Sequence, residues 1–204
     1  MHKQILNKDQ LDVLPLISQF NREFYLVGGT AIALHIGHRQ SIDFDLFKQK
    51  KLHRKKIIDK IRTFSKSFTI TRNVDEQLNL IIQNVKFTFF EYPYEIKASC
   101  NFDSIIKMPD LLTLAAMKAF ALGRRSKWKD YVDIYFIIKE HYSINEIAEK
   151  AISIFEDSFS EKQFRAQLSF FDDIDYSEEI TYLKQAVSNG EIKLFLTEKA
   201  VAIF

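Results

Sequence analysis

The stretch Phe24-Tyr25-Leu26-Val27-Gly28-Gly29-Thr30 constrains this chain more than any other part of it. Four consecutive apolar residues predict a buried strand, and two glycines end it. Thr30 to Ile36 then reads as a short helix closed by Gly37, a residue suited to a left-handed C-cap. Where a strand passes through two glycines straight into a helix, a phosphate group can approach the backbone closely. The N–H groups at the helix start favour an anion there, and Thr30 adds a hydroxyl.

One helix and a turn later, Ile42 to Phe47 alternates apolar and acidic residues. Period two predicts a strand with Ile42, Phe44 and Leu46 on one face and Asp43 and Asp45 on the other. Two carboxylates side by side suit Mg²⁺ or Mn²⁺, hard cations that keep water ligands and are shared with substrate phosphates. A Gly-Gly pair alone is usually a turn, and an Asp-x-Asp alone is usually a solvated strand face. Together and in this order they are the minimum equipment for attack on a nucleotide α-phosphate.

The rest of the pattern sets the fold class. A helix is expected over 8–20, with Leu11, Leu14 and Ile17 on one stripe and a kink at Pro15. A basic amphipathic helix follows over 51–64 and a strand over 68–71. A hairpin of 78–82 and 85–90 turns at Gln83-Asn84, and Pro93 interrupts the pattern. Pro109 fits the first turn of a helix running to about Gly123, and a second helix spans 127–139. Ser143 with Glu146, Ser160 with Gln163 and Ser188 with Glu191 have capping-box spacing. A minor break is expected over 171–175. The expected class is α+β: a small mixed-sheet core over 1–105 with flanking helices. A helical C-terminal region over 106–204 is expected to complete the active-site cleft.

Composition excludes some chemistry. The single Cys100 leaves no internal disulfide and no multi-thiolate zinc site. No apolar run approaches the roughly 18–20 residues of a membrane span, and Met1-His2-Lys3-Gln4 lacks a secretory h-region. A cytoplasmic protein with no membrane association is expected. Net charge is only +2, but residues 48–62 hold Lys48, Lys50, Lys51, Arg54, Lys55, Lys56, Lys60 and Arg62 against Asp59. Arg124, Arg125, Lys127 and Lys129 form a second cluster, while acids dominate 140–179. Either basic segment presents a face to a polyanion such as RNA, or is a solvated helix face. In the first reading both segments lie near the mouth of the cleft, and Lys51, Arg54, Lys55 and Lys56 contact RNA phosphates.

Lys118 directly follows the apolar run 111–117 within the same expected helix, where a charge needs a partner. Asp130 or Asp133 on the next helix supplies one, either as a plain buried ion pair or with Lys118 pointed at phosphate in the cleft. Arg39 either grips phosphate or bridges to Asp43 or Asp45. His35 and His38 read as helix-surface or capping residues, and Trp128 as core.

Leu26 to Ala31, Leu34 to Ser41 and Asp43 to Phe47 form one block. Met117-Lys118, Gly123-Arg124 and Lys127 through Tyr135 form a second. The two blocks together resemble the AbiEii/AbiGii-type nucleotidyltransferase toxin family of the polymerase-β-like superfamily. The resemblance implies an NTP-dependent nucleotidyltransferase, with Gly28, Gly29 and Thr30 at the triphosphate and Asp43 and Asp45 on the metal. It implies Lys118 and the Asp130/Asp133 pair as further active-site groups. RNA, tRNA above all, is the acceptor it favours, in the setting of a toxin–antitoxin or phage-defence system with a cognate antitoxin protein. One departure stands out. Such enzymes commonly take a third carboxylate from a later strand, and Thr88 stands at that position here. Glu91 lies off that face unless the strand bulges. Asp130 or Asp133 then substitutes, or the activity is weak, or the chain is a degenerate nucleotide-binding regulatory protein. A small-molecule nucleotidyltransferase is the other alternative, with Glu91 and Glu95 in an acidic pocket.

Overall fold

The structure, a computed structural model, describes residues 1–122, 124, 125 and 127–202. The chain divides into two compact units, Met1–Asp110 and Leu111–Phe204. The helix end expected at Gly123, with that part of the family match, lies outside the described residues.

The first unit opens with α1 (Lys8–Asp12) and α2 (Leu14–Ser18). Asn7 and Gln10 form a capping box at the start of α1. Gln10 is fully buried, and its side-chain amide donates to the Ser41 carbonyl at 2.8 Å. The single helix expected over 8–20 is therefore two short ones, with Pro15 in the first turn of the second. The break at Val13 turns the buried stripe to Val13, Leu16 and Ile17 and leaves Leu11 46% exposed.

Next come β1 (Tyr25–Val27), α3 (Gly28–Ile36), β2 (Asp43–Lys48) and α4 (Arg54–Phe64). They are followed by β3 (Thr69–Val74), β4 (Gln77–Ile82) and β5 (Val85–Glu91). Among the described residues these strands form one mixed sheet in the order β1-β2-β5-β4-β3. β2 and β5 are parallel, and every other neighbouring pair is antiparallel. Gln83 and Asn84 turn the β4–β5 hairpin with φ of 49° and 65°, the left-handed pair that a two-residue type I′ turn demands. A short ribbon of β6 (Cys100–Phe102) and β7 (Ile106–Met108) closes the unit. Three-residue strands after Pro93 carry too little alternation to be read from sequence, and this ribbon was not expected.

The sheet has a back and a front. Phe44, Leu46, Leu78, Leu80, Phe87 and Phe89 fill the back face and are fully buried. Each contributes on the order of 1.5–3 kcal/mol of apolar burial. Phe20 packs there at 4.9 Å from Phe89, and Lys60 of α4 lies over the Phe20 ring at 5.1 Å. Arg54, at the head of α4, donates to Asn73 Oδ1 at 2.8 Å, and Asn73 pairs with the back-face residue Leu78. So α4 covers the back. The alternate residues of β2, β5 and β4, which include Asp43, Asp45, Thr88 and Asn79, form the front. Ile42, expected inside with Phe44, precedes the strand and is 50% exposed.

The second unit is helical: α5 (Leu111–Leu122), α6 (Trp128–Glu140), α7 (Ile144–Phe155), α8 (Glu161–Leu168) and α9 (Asn189–Val201). Pro109 stands two residues before α5 rather than in its first turn. The Ser143–Glu146 capping box forms in full. Ser160 and Ser188 accept from the backbone N–H groups of Gln163 and Glu191. α9 is tied back to α6 by Tyr135, which donates to Glu191 at 2.8 Å, and by Trp128 Nε1, which donates to Asn189 at 3.0 Å. Trp128 is core, as its aromatic surroundings expect. Among the described residues no helix or named strand occupies 169–188, a far longer break than 171–175. No described helix is long and apolar enough to cross a membrane.

Candidate active site

β1 delivers the chain to Gly28, whose φ of 73° lies in the left-handed region. A side chain there would be strained, and its Cβ would collide with the Asp45 carboxylate. The pairing of Val27 with Asp45 across β1 and β2 explains that closeness. Val27 offers no side-chain cap to α3, so the N–H groups of the first turn are not capped from that position. A Cβ on Gly29 would lie 2.6 Å from Arg39 Nη2. The guanidinium thus sits directly against this turn, only 2% exposed, and Nη1 donates to the Gln40 carbonyl at 2.9 Å. Thr30 Oγ1 lies against the Asp43 carbonyl oxygen and 3.0 Å from Ser41 Oγ, which joins the helix start to the residues leading into β2. Ser41 is a member of this cluster that sequence reasoning missed. Its only signal was its place two residues before Asp43.

Asp43 and Asp45 are half-buried and share the front face, as alternation demanded. Among the described residues, no group of three or more His, Cys, Asp and Glu could hold a metal ion. A closed structural site is therefore not what these residues build. Two hard oxygen donors on a half-exposed strand fit a magnesium or manganese ion whose other ligands are water and substrate phosphate. Thr88 stands beside Asp45 in the parallel pair. The register runs without a shift from Asp43↔Lys86 to Lys48↔Glu91, so β5 has no bulge to bring Glu91 round. Glu91 belongs to the back, where its carboxylate accepts the Leu52 N–H at 3.1 Å. That removes it from the acidic pocket that a small-molecule acceptor would need.

Lys118, Asp130 and Asp133 form a cluster inside the helical unit. Lys118 Nζ lies 2.7 Å from Asp130 Oδ1 and 2.9 Å from Asp133 Oδ2, and the three side chains are 4%, 4% and 0% exposed. Arg125 adds a fork to Asp130, with Nε donating at 2.7 Å and Nη2 at 3.0 Å. Burial pushes the Asp130 carboxyl up, but the charges of Lys118 and Arg125, with their hydrogen bonds, win and hold it below the usual aspartate range.

Neither basic segment is a spare cationic face as a whole. Arg124 donates to the carbonyls of Phe120 and Ser158, Arg125 is engaged by Asp130, and Lys127 and Lys129 pair with Glu178. In 48–62, Lys48 is buried and pairs with Glu23, Arg54 pairs with Asp75, and Lys60 is 3.8 Å from Glu23. The helix that carries Arg54 and Lys60 also lies behind the sheet rather than at the carboxylates. His38 is fully buried instead of a surface residue, and His35 Nε2 lies 3.0 Å from the Pro109 carbonyl oxygen.

A mixed sheet with two carboxylates beside a glycine-turned helix start is the core of a nucleotidyltransferase. The chain belongs to the family described as "Nucleotidyl transferase AbiEii toxin, Type IV TA system", whose profile matches residues 16–193. A relative from Aquifex aeolicus, the uncharacterized protein aq_aa25, is 32% identical over 152 residues, covering 67% of this chain and 68% of that one. Among solved structures, MenT4, a nucleotidyltransferase toxin of Mycobacterium tuberculosis, superposes with a TM-score of 0.61 at 13% identity, over 94% of this chain and 82% of its own. JHP933 from Helicobacter pylori superposes with a TM-score of 0.58 at 16% identity, over 97% and 90%. At these identities the two structures speak for the fold.

Proposed function

We propose that the protein transfers a nucleoside monophosphate from an NTP to a hydroxyl of an RNA acceptor, tRNA being the class that the family resemblance favours. It acts as a toxin held in check by a cognate antitoxin protein. The observation that carries this reading is the contact between Gly28 and Asp45, which sets a candidate phosphate turn directly against a candidate metal carboxylate. Asp43 and Asp45 would hold Mg²⁺ or Mn²⁺, which when bound would polarise the α-phosphoryl group and offset its charge. The backbone N–H groups of Gly28, Gly29 and Thr30 hold the terminal phosphates, and the Arg39 guanidinium behind the turn adds positive charge. Lys118, with Asp130 and Asp133, is the charge-balancing group that the resemblance implies. The acceptor oxygen bonds to the α-phosphorus, and the bond from that phosphorus to its bridging oxygen breaks. Pyrophosphate leaves with the electron pair, and the hydroxyl proton passes to water.

Incubation with α-labelled NTPs, Mg²⁺ or Mn²⁺, and tRNA or total RNA tests the reading, with Asp43→Ala/Asp45→Ala as control. Label on RNA that needs both aspartates is the expected result. One specific observation favours a second reading: Thr88 stands in register with Asp45 where a third acid is usual. Metal-dependent NTP binding with no transfer to any acceptor would support that degenerate, nucleotide-binding form instead.

A further inference from the structure

The sheet fixes a direction across the front face. Val27, Asp45, Thr88, Asn79 and Arg72 are successive register partners and make one row over all five strands. The phosphate turn at Gly28 lies at the β1 end of that row. In the reading above, from which this inference follows, the leaving pyrophosphate is held at that end. In-line displacement puts the attacking oxygen opposite the leaving one. The acceptor must then arrive from the other end of the row, over β5, β4 and β3.

That part of the front face has the chemistry of a polyanion track. Lys86, the register partner of Asp43, and Arg72, on the exposed edge strand, are its charged residues. Both are exposed, and among the described residues neither has an ion-pair partner. No acid lies on the front face of β5, β4 or β3, and Glu91 faces the back. Thr88 leaves the position next to Asp45 uncharged where an acid would repel an incoming phosphate. Two residues further along the strands, roughly 7 Å from that row, Phe47 and Phe90 are half-exposed with ring centroids 5.1 Å apart. They present a surface on which a base can stack. From Asp45 to Arg72 is three strand steps, roughly 14 Å at about 4.8 Å each, longer than a single nucleoside.

We infer that an acceptor RNA lies with its single-stranded 3′ end across β5, β4 and β3, its hydroxyl at Asp45 and its phosphates on Lys86 and Arg72, with a terminal base on Phe90. The basic helix α4, behind the sheet, takes no part.

The test compares Arg72→Glu/Lys86→Glu with Lys55→Glu/Lys56→Glu on α4, using fluorescently labelled tRNA. Dissociation constants across a salt series are measured, alongside KM for tRNA and for NTP. The front-face variant should weaken tRNA binding and raise its KM roughly tenfold or more, and lower the slope of log affinity against log salt by about 1.4, two contacts at 0.7 each. KM for NTP and the melting temperature should stay as in wild type, and the α4 variant should bind tRNA normally. Phe90→Ala should raise KM for tRNA without moving the salt slope. Wild-type tRNA affinity in the front-face variant, or loss confined to the α4 variant, overturns the track. The two readings fail separately. A wild type that labels RNA, with an Arg72→Glu/Lys86→Glu variant of unchanged KM and affinity, sinks only the track. If no RNA is labelled, binding still decides, since a wild type that binds no tRNA overturns the track as well.

Discussion

Two pairs of aspartates in this protein were equally visible as candidates, and the structure treats them in opposite ways. Asp43 and Asp45 are two apart on a strand, so the pleat sets both on one half-exposed face. Asp130 and Asp133 are three apart on α6, so the helix sets both on one buried face against Lys118. Spacing makes a pair. What packs over the pair decides how far it stays open to solvent: Asp43 and Asp45 are half-buried, whereas Asp130 and Asp133 close around Lys118. The half-exposed pair is the one proposed to hold a metal ion, and the closed pair is bound into the core of the helical unit.

The sharpest way to break that contrast is to remove each pair's charge. Asp43→Ala/Asp45→Ala should lower the rate of nucleotide transfer on the order of 10³-fold, the several kcal/mol that a bound metal contributes. The melting temperature should move by only a few degrees, and a collapse of the fold would mark the open pair as structural after all. Lys118→Met leaves Asp133 buried beside a missing charge and should destabilise the protein by about 3–5 kcal/mol in urea denaturation. Lys118→Met/Asp130→Asn/Asp133→Asn, which leaves no buried charge unpaired and strands only the half-exposed Arg125, should recover most of that loss. A stable triple variant that transfers nothing bears out the charge-balancing role proposed for the closed cluster, and unchanged transfer confines that cluster to holding the fold.

Gly28→Ala probes the junction of turn and carboxylate. Its left-handed φ and the collision with Asp45 should cost about 1–3 kcal/mol of stability. Transfer should fall with it, measured at a temperature where the variant is folded. The smallest effect is on pH dependence. Because the folded Asp130 pKa is depressed, its contribution is complete above the ordinary aspartate value of about 3.9 and is lost as pH falls through that value toward the lower folded one. The urea midpoint of wild type should therefore decline below about pH 4, and Asp130→Asn should flatten part of that decline.

The Gly-Gly turn, the α3 helix with its Gly37 cap, the carboxylate strand and the β4–β5 hairpin are all legible in the sequence. Each is a local device whose signal lies within ten or so residues. What local pattern hides is partnership between distant segments. Residues 48–62 look like one basic face, yet Lys48 is claimed by Glu23 and Arg54 by Asp75, on other elements. Arg124 to Lys129 look like another, and Asp130 and Glu178 take up most of it. Arg72, Asn79 and Thr88 drew no joint notice because only the strand order lines them up. His38 and Gln10 are polar residues in the core, and sequence offers no sign of the interior position that holds them. The ribbon of β6 and β7 was missed because three-residue strands leave almost no period to detect.

The parallel pairing of β2 with β5 has a temporal meaning. β2 ends at residue 48, but the neighbour that completes its far side is residues 85–91, which the ribosome adds only after the whole of α4, β3 and β4. Throughout that interval the strand with both aspartates has β1 on one side and a bare edge on the other, and Asp45 has no Thr88 beside it. A nascent chain shorter than about ninety residues therefore carries both aspartates but not the strand that completes the front face beside them. The front face proposed to carry the chemistry is complete only once most of the first unit has emerged, since pairings this far apart in sequence form late and slowly.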